Sequence, residues 1–197
     1  MGNSKGGVQV IERKIVYFTE TGSVNTDQVL RLAKERADEM GINTIIVAST
    51  EGITAVKAAQ IFKGKRVVAV SHHVGFKEPN VLEWTEENRR RFEEMGGILL
   101  TSVHAFYGLS RAMRKKFNMF LFEELVINTL RLFGQGMKVA CEIAMMAADA
   151  GLVRTDEDVI CIGGTGSGAD TAVVLRPVNL FDFFDLRIKE IICKPHF

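Results

Sequence analysis

Residues 44–70 read TIIVASTEGITAVKAAQIFKGKRVVAV, and this stretch decides the fold class. Residues 44–48 and 67–70 are short apolar runs rich in β-branched side chains, which is typical of buried strands. Residues 52–62 between them have a helical composition and end at a Lys-Gly breaker. A strand, a helix and a second strand joined by short loops predict a parallel pair with a right-handed crossover.

The same order of elements stands upstream. Residues 14–18 (KIVYF) predict a strand, and apolar residues at helical spacing predict a helix over 28–40. Asn25 or Thr26 supplies the N-cap of that helix, and Gly41 is a natural stop after it. Three strand–helix repeats predict a three-layer α/β/α fold with a mostly parallel sheet.

The repeat loosens after residue 70. Residues 71–118 are predicted as an insertion that holds an irregular loop, a charged helix over 85–95, a short strand over 98–100 and a polar, basic loop. Two very apolar helices are predicted over 120–133 and 137–150, either deeply buried or covered by another subunit. Further strands are predicted at 158–162, 171–178 and 186–194. The chain is predicted to be one domain over 1–197.

Composition and charge narrow the range of functions that the protein can have. The chain has 25 basic and 24 acidic residues, and its longest basic cluster, at 111–116, is short. Nucleic-acid binding is therefore disfavoured. Residues 1–7 lack a signal-peptide core, no apolar run is long enough to span a bilayer, and the three cysteines are not spaced as a disulfide or zinc framework. These features predict a cytoplasmic protein without a membrane partner.

The loop after the first strand, TETGSVNT at residues 19–26, has the chemistry of a phosphate site. The start of a helix presents unpaired backbone amides and the positive end of the helix dipole, and both favour an anion. Gly22 permits close approach, and four hydroxyls surround it. An ordinary turn with an N-cap is the competing interpretation, although it needs fewer hydroxyls.

A second glycine-rich loop, GGTGSG at residues 163–168, follows a predicted buried strand. It matches neither the dinucleotide nor the Walker pattern, so a flexible hairpin turn explains it equally well. Ser49, Thr50 and Gly52 repeat the hydroxyl–glycine–helix pattern after the second strand, and they either line the same crevice or cap the helix. His72 follows the third strand and is a candidate ligand contact. His72 and His73 do not predict a metal site, because adjacent residues of an extended loop point in opposite directions.

The TETGSV turn and the stretch from residue 138 to 178 resemble the C-terminal domain of pyruvate kinase, which has Thr-x-Ser/Thr-Gly-x-Ser/Thr at its first loop. In that enzyme these two loops bind a phosphorylated sugar effector. The resemblance implies a core of strand order 3-2-1-4-5 with the fifth strand antiparallel. The first and fourth strands would then be neighbours, and both loops would flank one crevice at a topological switch point. The resemblance does not extend to the catalytic barrel of the enzyme, so it does not imply kinase activity.

The chain is also similar to stand-alone domains of this fold in which flavin mononucleotide (FMN) has been seen bound. That similarity implies an FMN-binding flavoprotein, whereas the residues themselves indicate only a phosphate-binding site. There are two alternatives. One is an enzyme that acts on a phosphorylated metabolite, with Glu20 or His72 as the proton carrier. The other is a regulatory module that forms a homo-oligomer through residues 120–150. The residues predicted to contact the ligand are Thr19, Glu20, Thr21, Gly22, Ser23, Asn25, Thr26, Ser49, Thr50, Gly52, Ser71, His72, Gly75, Gly163, Gly164, Thr165, Gly166, Ser167 and Gly168.

Overall fold

A seven-stranded sheet with helices on both faces organises the protein. The computed structural model describes residues 9–197, so residues 1–7, on which the prediction about a signal peptide rests, lie outside the described range. The strands are β1 (Val16–Phe18), β2 (Thr44–Ala48), β3 (Arg66–Ser71), β4 (Ile98–Thr101), β5 (Val159–Gly163), β6 (Thr171–Arg176) and β7 (Arg187–Pro195). The α-helices are α1 (Thr26–Glu39), α2 (Ile53–Ile61), α3 (Glu86–Glu94), α4 (Gly108–Phe117), α5 (Phe122–Arg131) and α6 (Gln135–Asp149).

The sheet is mostly parallel, as predicted. Its strand order is β1-β7-β6-β5-β2-β3-β4, and β6 alone runs antiparallel to both of its neighbours. Alternate residues of each strand face opposite helical layers. Ile45 and Val47 pack with the core that contains α1, α2 and α3, whereas Ile46 packs with the core that contains α6. The predicted three-layer α/β/α architecture is therefore confirmed.

The order 3-2-1-4-5 is present, but its first strand is β2 rather than β1. Counted from β2, the strands β4-β3-β2-β5-β6 have this order, and the fifth is antiparallel. The strand predicted at residues 14–18 lies at the far edge as β1, paired in parallel with β7. The prediction that it neighbours the strand at 158–162 is wrong, because β6 and β7 lie between β1 and β5.

The segment from residue 71 to 118 contains the predicted helix and strand. Thr85 caps α3 by accepting a hydrogen bond from the amide of Asn88 (3.2 Å), and β4 extends the sheet beside β3. The basic stretch before Asn118 was predicted as a loop and is instead the helix α4. Residues of α4 are all at least partly exposed, so the stretch lacks the fully apolar stripe that marks a buried helix.

The two apolar helices differ in burial. Most residues of α6 are buried, because it covers one face of the sheet beneath α5. Helix α5 buries Glu124 and Ile127 and exposes Phe122 and Leu125. None of the helices in residues 9–197 combines the length and apolar character needed to span a membrane.

Candidate functional site

A cleft of about 460 Å³ opens where β2 and β3 end. Strand β2 pairs in parallel with β3 on one side and with β5 on the other, so the cleft lies at the point where the strand order reverses. Its walls come from the start of α2, the segments that follow β3 and β4, the first turns of α6 and the glycine-rich loop after β5. The sheet edge predicted to bind a ligand therefore carries a cleft.

Only some of the predicted site residues line this cleft. Those that do follow β2, β3 and β5, whereas the loop after β1 contributes nothing to the lining. The lining includes Ser49, Thr50, Ser71, His72, Gly164, Gly166, Ser167 and Gly168. Gly52, Gly75, Gly163 and Thr165 belong to the same segments without lining the cleft, and residues 19–26 lie outside it.

The turn between β2 and α2 shapes one wall. Gly52 precedes the helix with a φ of +93°, a conformation that L side chains rarely adopt. The Ser49 hydroxyl accepts a hydrogen bond from the amide of Ala55 (3.3 Å). The amides of Ile53 and Thr54, in the first turn of α2, have no acceptor within the helix. This helix start therefore presents amides and hydroxyls at the cleft, which is an environment for an anion.

Residues around α3 brace this turn from behind. The indole nitrogen of Trp84 donates to the carbonyl of Ser49 (2.8 Å), and the side-chain amide of Asn88 donates to the carbonyl of Glu51 (2.9 Å). A Cβ at Gly52 would lie 2.7 Å from the Cβ of Asn88. Residues of the predicted insertion, 71–118, thus hold the β2–α2 turn in place. Nothing in the sequence indicated this role.

The glycine-rich loop forms the opposite wall, and Asp170 fixes it. This side chain is fully buried and accepts hydrogen bonds from the amide of Thr165 (3.1 Å), the amide of Gly22 (2.9 Å) and the hydroxyl of Thr171 (2.8 Å). Sequence reasoning missed Asp170. An acidic residue between a glycine loop and an apolar strand was the available signal, because a buried carboxylate needs several donors.

The loop at residues 19–26 packs against the glycine-rich loop from outside the cleft. The Gly22 amide is used by Asp170, and the Thr26 hydroxyl accepts a hydrogen bond from the amide of Ala169 (3.0 Å). A Cβ at Gly22 would lie 2.9 Å from the carbonyl oxygen of Thr165, so the backbones are in close contact. The two loops are in contact, but they do not flank one crevice as predicted, because residues 19–26 lie outside the cleft. The carboxylate of Asp170 accepts from the Gly22 amide that was predicted to bind a phosphate.

Two histidine–glutamate pairs occupy the remaining wall. His72 Nδ1 lies 2.5 Å from Glu83 Oε2, and His104 Nδ1 lies 3.0 Å from Glu142 Oε2. Each glutamate also contacts a lysine: Lys77 Nζ lies 2.6 Å from Glu83, and Lys138 bonds to Glu142. Glu20, the other candidate proton carrier, does not line the cleft.

These contacts set the charge states. Burial raises the pKa of both glutamates, but hydrogen bonds and nearby cations outweigh it and leave each pKa below its usual value. Burial lowers the pKa of His72, and its hydrogen bond to Glu83 only partly opposes this effect. A carboxylate only accepts hydrogen bonds, so each imidazole donates through Nδ1 and leaves Nε2 as an acceptor when neutral. His104 Nε2 is buried without a partner among the described residues.

An aromatic surface lies beside these pairs. The Phe76 ring stacks on His72 with centroids 3.8 Å apart, and it lies 5.5 Å from the ring of His104. The guanidinium of Arg111 is 4.6 Å from the centroid of Phe76. Within residues 9–197, no group of three or more histidine, cysteine, aspartate or glutamate side chains is arranged to hold a metal ion. Aromatic rings and the Arg111 guanidinium thus line the same cleft as the amides and hydroxyls at the start of α2.

Comparison with known proteins identifies the family. The sequence model described as "Pyruvate kinase, alpha/beta domain" matches residues 27–175. This range excludes β1 and the TETGSV turn, and it includes the β2–α2 turn and the glycine-rich loop.

Pyruvate kinase structures from Cryptosporidium parvum are similar to this chain at 14% identity. One covers 78% of this chain and 23% of its own length with a TM-score of 0.38, and another, in complex with ADP, covers 76% and 22% with a TM-score of 0.35. The chain therefore spans less than a quarter of the length of these enzymes. The family match covers most of the chain, and the chain belongs to the pyruvate kinase alpha/beta domain family.

Proposed function

We propose that the cleft binds a phosphorylated small molecule whose phosphate lies at the start of α2. The observation that carries this proposal is the β2–α2 turn. There the hydroxyls of Ser49, Thr50 and Thr54 stand beside the first amides of the helix. A charge at a helix start is worth about 0.3–1 kcal/mol from the dipole alone, and each hydrogen bond to a charged group adds about 1.5–3 kcal/mol.

The opposite wall supports the same proposal. Gly164, Gly166 and Gly168 line the cleft without side chains, so a ligand can approach the backbone of this loop closely. Lys77, Arg111 and Lys138 supply three cations to the lining. Glu83 pairs with Lys77 and Glu142 pairs with Lys138, whereas no carboxylate among the described residues forms an ion pair with Arg111. The Arg111 guanidinium is therefore available to bind an anionic group of a ligand.

We propose FMN as the ligand, in keeping with the flavoprotein resemblance. A volume of about 460 Å³ lies in the range of small-molecule sites, about 300–1,000 Å³. The face formed by Phe76, His72 and His104 suits a flat heterocycle, because offset stacking on aromatic rings is favourable. All three cysteines are free and buried, which fits a reducing compartment, and we propose a cytoplasmic location.

Flavin fluorescence tests this proposal. Purified protein is titrated into FMN and into riboflavin, and FMN is expected to bind more tightly because only FMN carries the phosphate. Thr50→Val keeps the side-chain shape and removes the hydroxyl, and it should weaken FMN binding about tenfold to a hundredfold.

Thr21→Val is the matched control. Thr21 belongs to the loop outside the cleft, and its side chain makes no capping bond. FMN binding should stay within about twofold of the wild-type value, since no ligand contact is lost. Equal affinity for FMN and riboflavin, or a larger effect of Thr21→Val than of Thr50→Val, would contradict the phosphate position.

The His72–Glu83 pair favours a second candidate function, an enzyme that acts on a phosphorylated metabolite. A neutral imidazole oriented by a carboxylate can accept a proton from a bound ligand through Nε2. We propose His72, and not Glu20, for this role. In a screen of phosphorylated metabolites followed by NMR, His72→Gln should retain ligand binding and lose turnover. Turnover equal to that of the wild type excludes His72 as the proton carrier.

The apolar side chains of α5 support the third candidate, a homo-oligomer. Phe122 and Leu125 are 67% and 60% exposed, whereas α6 is buried within the protein. An interface through residues 120–150 would therefore use α5. Light scattering after size-exclusion chromatography is expected to show a dimer that Leu125→Lys converts to a monomer, and a monomeric wild-type protein would contradict this candidate.

A further inference from the structure

A second pocket of about 360 Å³ lies between α4 and α5, beside the cleft. We call it the arginine pocket, because Arg111, Arg114 and Arg131 line it. Tyr107 and Arg111 line both the cleft and the arginine pocket. A ligand bound in the cleft and a group bound in the arginine pocket would therefore both contact these two side chains.

The arginine pocket has an excess of positive charge. Glu124 is the carboxylate in its lining, and Glu124 pairs with Arg114. Within the part of the chain that the structure describes, no carboxylate forms an ion pair with Arg111 or Arg131. Two guanidinium charges are thus left without an anionic partner, and guanidinium groups bind phosphate and carboxylate through paired hydrogen bonds.

Neutral groups hold Arg131 in position. Its Nε donates to the side-chain oxygen of Gln135 (2.7 Å), one terminal nitrogen donates to Asn128 (3.2 Å), and the other donates to the hydroxyl of Tyr107 (3.3 Å). These acceptors order the guanidinium without cancelling its charge. An ordered cation loses less conformational entropy when an anion binds.

We infer that the arginine pocket binds a phosphate or carboxylate group between Arg111 and Arg131. The group is either a second anionic group of a phosphorylated ligand in the cleft, which rests on the proposed phosphate position and applies to ligands other than FMN, or a separate phosphate. The buried Glu124 Oε2 has no donor among the described residues, so a hydroxyl next to the anionic group would be favoured.

Calorimetry with simple probes tests the inference. Bisphosphates of linear polyols of increasing length are titrated beside their monophosphates, and inorganic phosphate is titrated separately into protein saturated with a monophosphate. If one ligand spans both spaces, the best bisphosphate should bind about tenfold more tightly than its monophosphate. If the phosphate is separate, inorganic phosphate should bind in addition to the monophosphate.

Arg131→Gln is the decisive variant, because Arg131 does not line the cleft. It should abolish the bisphosphate advantage or the inorganic phosphate binding, whichever the wild type shows, and leave monophosphate affinity unchanged. Arg90→Gln, on the exposed surface of α3, is the matched control and should leave every affinity unchanged. Wild-type protein with neither signal, or a signal that survives Arg131→Gln, overturns the inference. Absence of binding by both FMN and the monophosphates refutes the proposed function instead, while inorganic phosphate still tests the arginine pocket.

Discussion

Replacing Asp170 should destabilise the protein more than replacing any exposed carboxylate. In Asp170→Ala, the buried amide of Gly22 and the partly buried amide of Thr165 lose their acceptor where the two loops meet. An unsatisfied buried donor costs about 1–3 kcal/mol and a partly buried one costs less, so the two amides give a loss of about 3 kcal/mol in the free energy of unfolding. Domains have a total of about 5–15 kcal/mol, so the loss is a large part of the stability.

Asp170→Asn provides a graded comparison. The remaining oxygen can accept from both amides, and the new amino group can donate to the Thr171 hydroxyl, so only the charge of the acceptor is lost. The expected cost is about 1–2 kcal/mol. Asp185→Ala is the control, because Asp185 is exposed and lies 3.6 Å from Arg187, and it should change stability by less than about 0.5 kcal/mol.

Urea denaturation followed through Trp84, the single tryptophan of the chain, measures these differences. Trp84 is 6% exposed and packs beside the β2–α2 turn, so its fluorescence reports on the site as well as on the fold. A loss below about 1 kcal/mol for Asp170→Ala, or a larger loss for Asp170→Asn than for Asp170→Ala, would refute the proposed role of this carboxylate.

Three further predictions concern strain, pH and thiols. Gly52→Ala should cost about 1–2 kcal/mol more than Gly41→Ala in thermal unfolding, because both glycines have positive φ but only Gly52 has Asn88 in contact; equal costs would contradict the close packing. Burial lowers the pKa of His72 from its ordinary 6.5, so the folded protein takes up its proton later than the unfolded chain as pH falls. Stability should therefore decrease from about pH 7 towards pH 5, and His72→Gln should flatten this part of the melting-temperature profile; an unchanged slope would contradict it. Burial raises the pKa of Cys141 to about 12, so a thiol reagent at pH 8 should leave it unmodified until urea is added, and rapid modification of folded protein would contradict its burial.

The fold class was predictable from the sequence, and the position of β1 was not. Apolar runs and helical spacing are local signals, so β2, α2 and β3 were found within one or two residues of their observed ends. Strand order depends on contacts between distant segments. Nothing local in residues 14–18 shows that they pair with β7 near the end of the chain. The resemblance to the family placed this strand in the core, because the same hydroxyl–glycine pattern occurs after both β1 and β2.

The candidate site was predictable where backbone chemistry defines it. The hydroxyls and glycine after β2, the histidine after β3 and the glycine-rich loop were all visible in the sequence, and all reach the cleft region. The buried carboxylates of the site could not be predicted from the sequence. Glu142 bonds to His104 across 38 positions, and Asp170 bonds to Gly22 across 148 positions. Such pairs depend on tertiary packing, because a buried charge is stable only beside partners that the fold brings to it.

The position of the ligand phosphate can be measured directly by NMR. Isotope-labelled protein is titrated with FMN or another phosphorylated compound, and the backbone amide shifts of Ile53 and Thr54 are compared with the shift of Gly22. Phosphate at the start of α2 predicts large downfield shifts for Ile53 and Thr54, because their protons become hydrogen-bonded to an anion. The Gly22 amide, already bonded to Asp170, should move little. A titration that moves Gly22 and leaves Ile53 and Thr54 unchanged would contradict the proposed site.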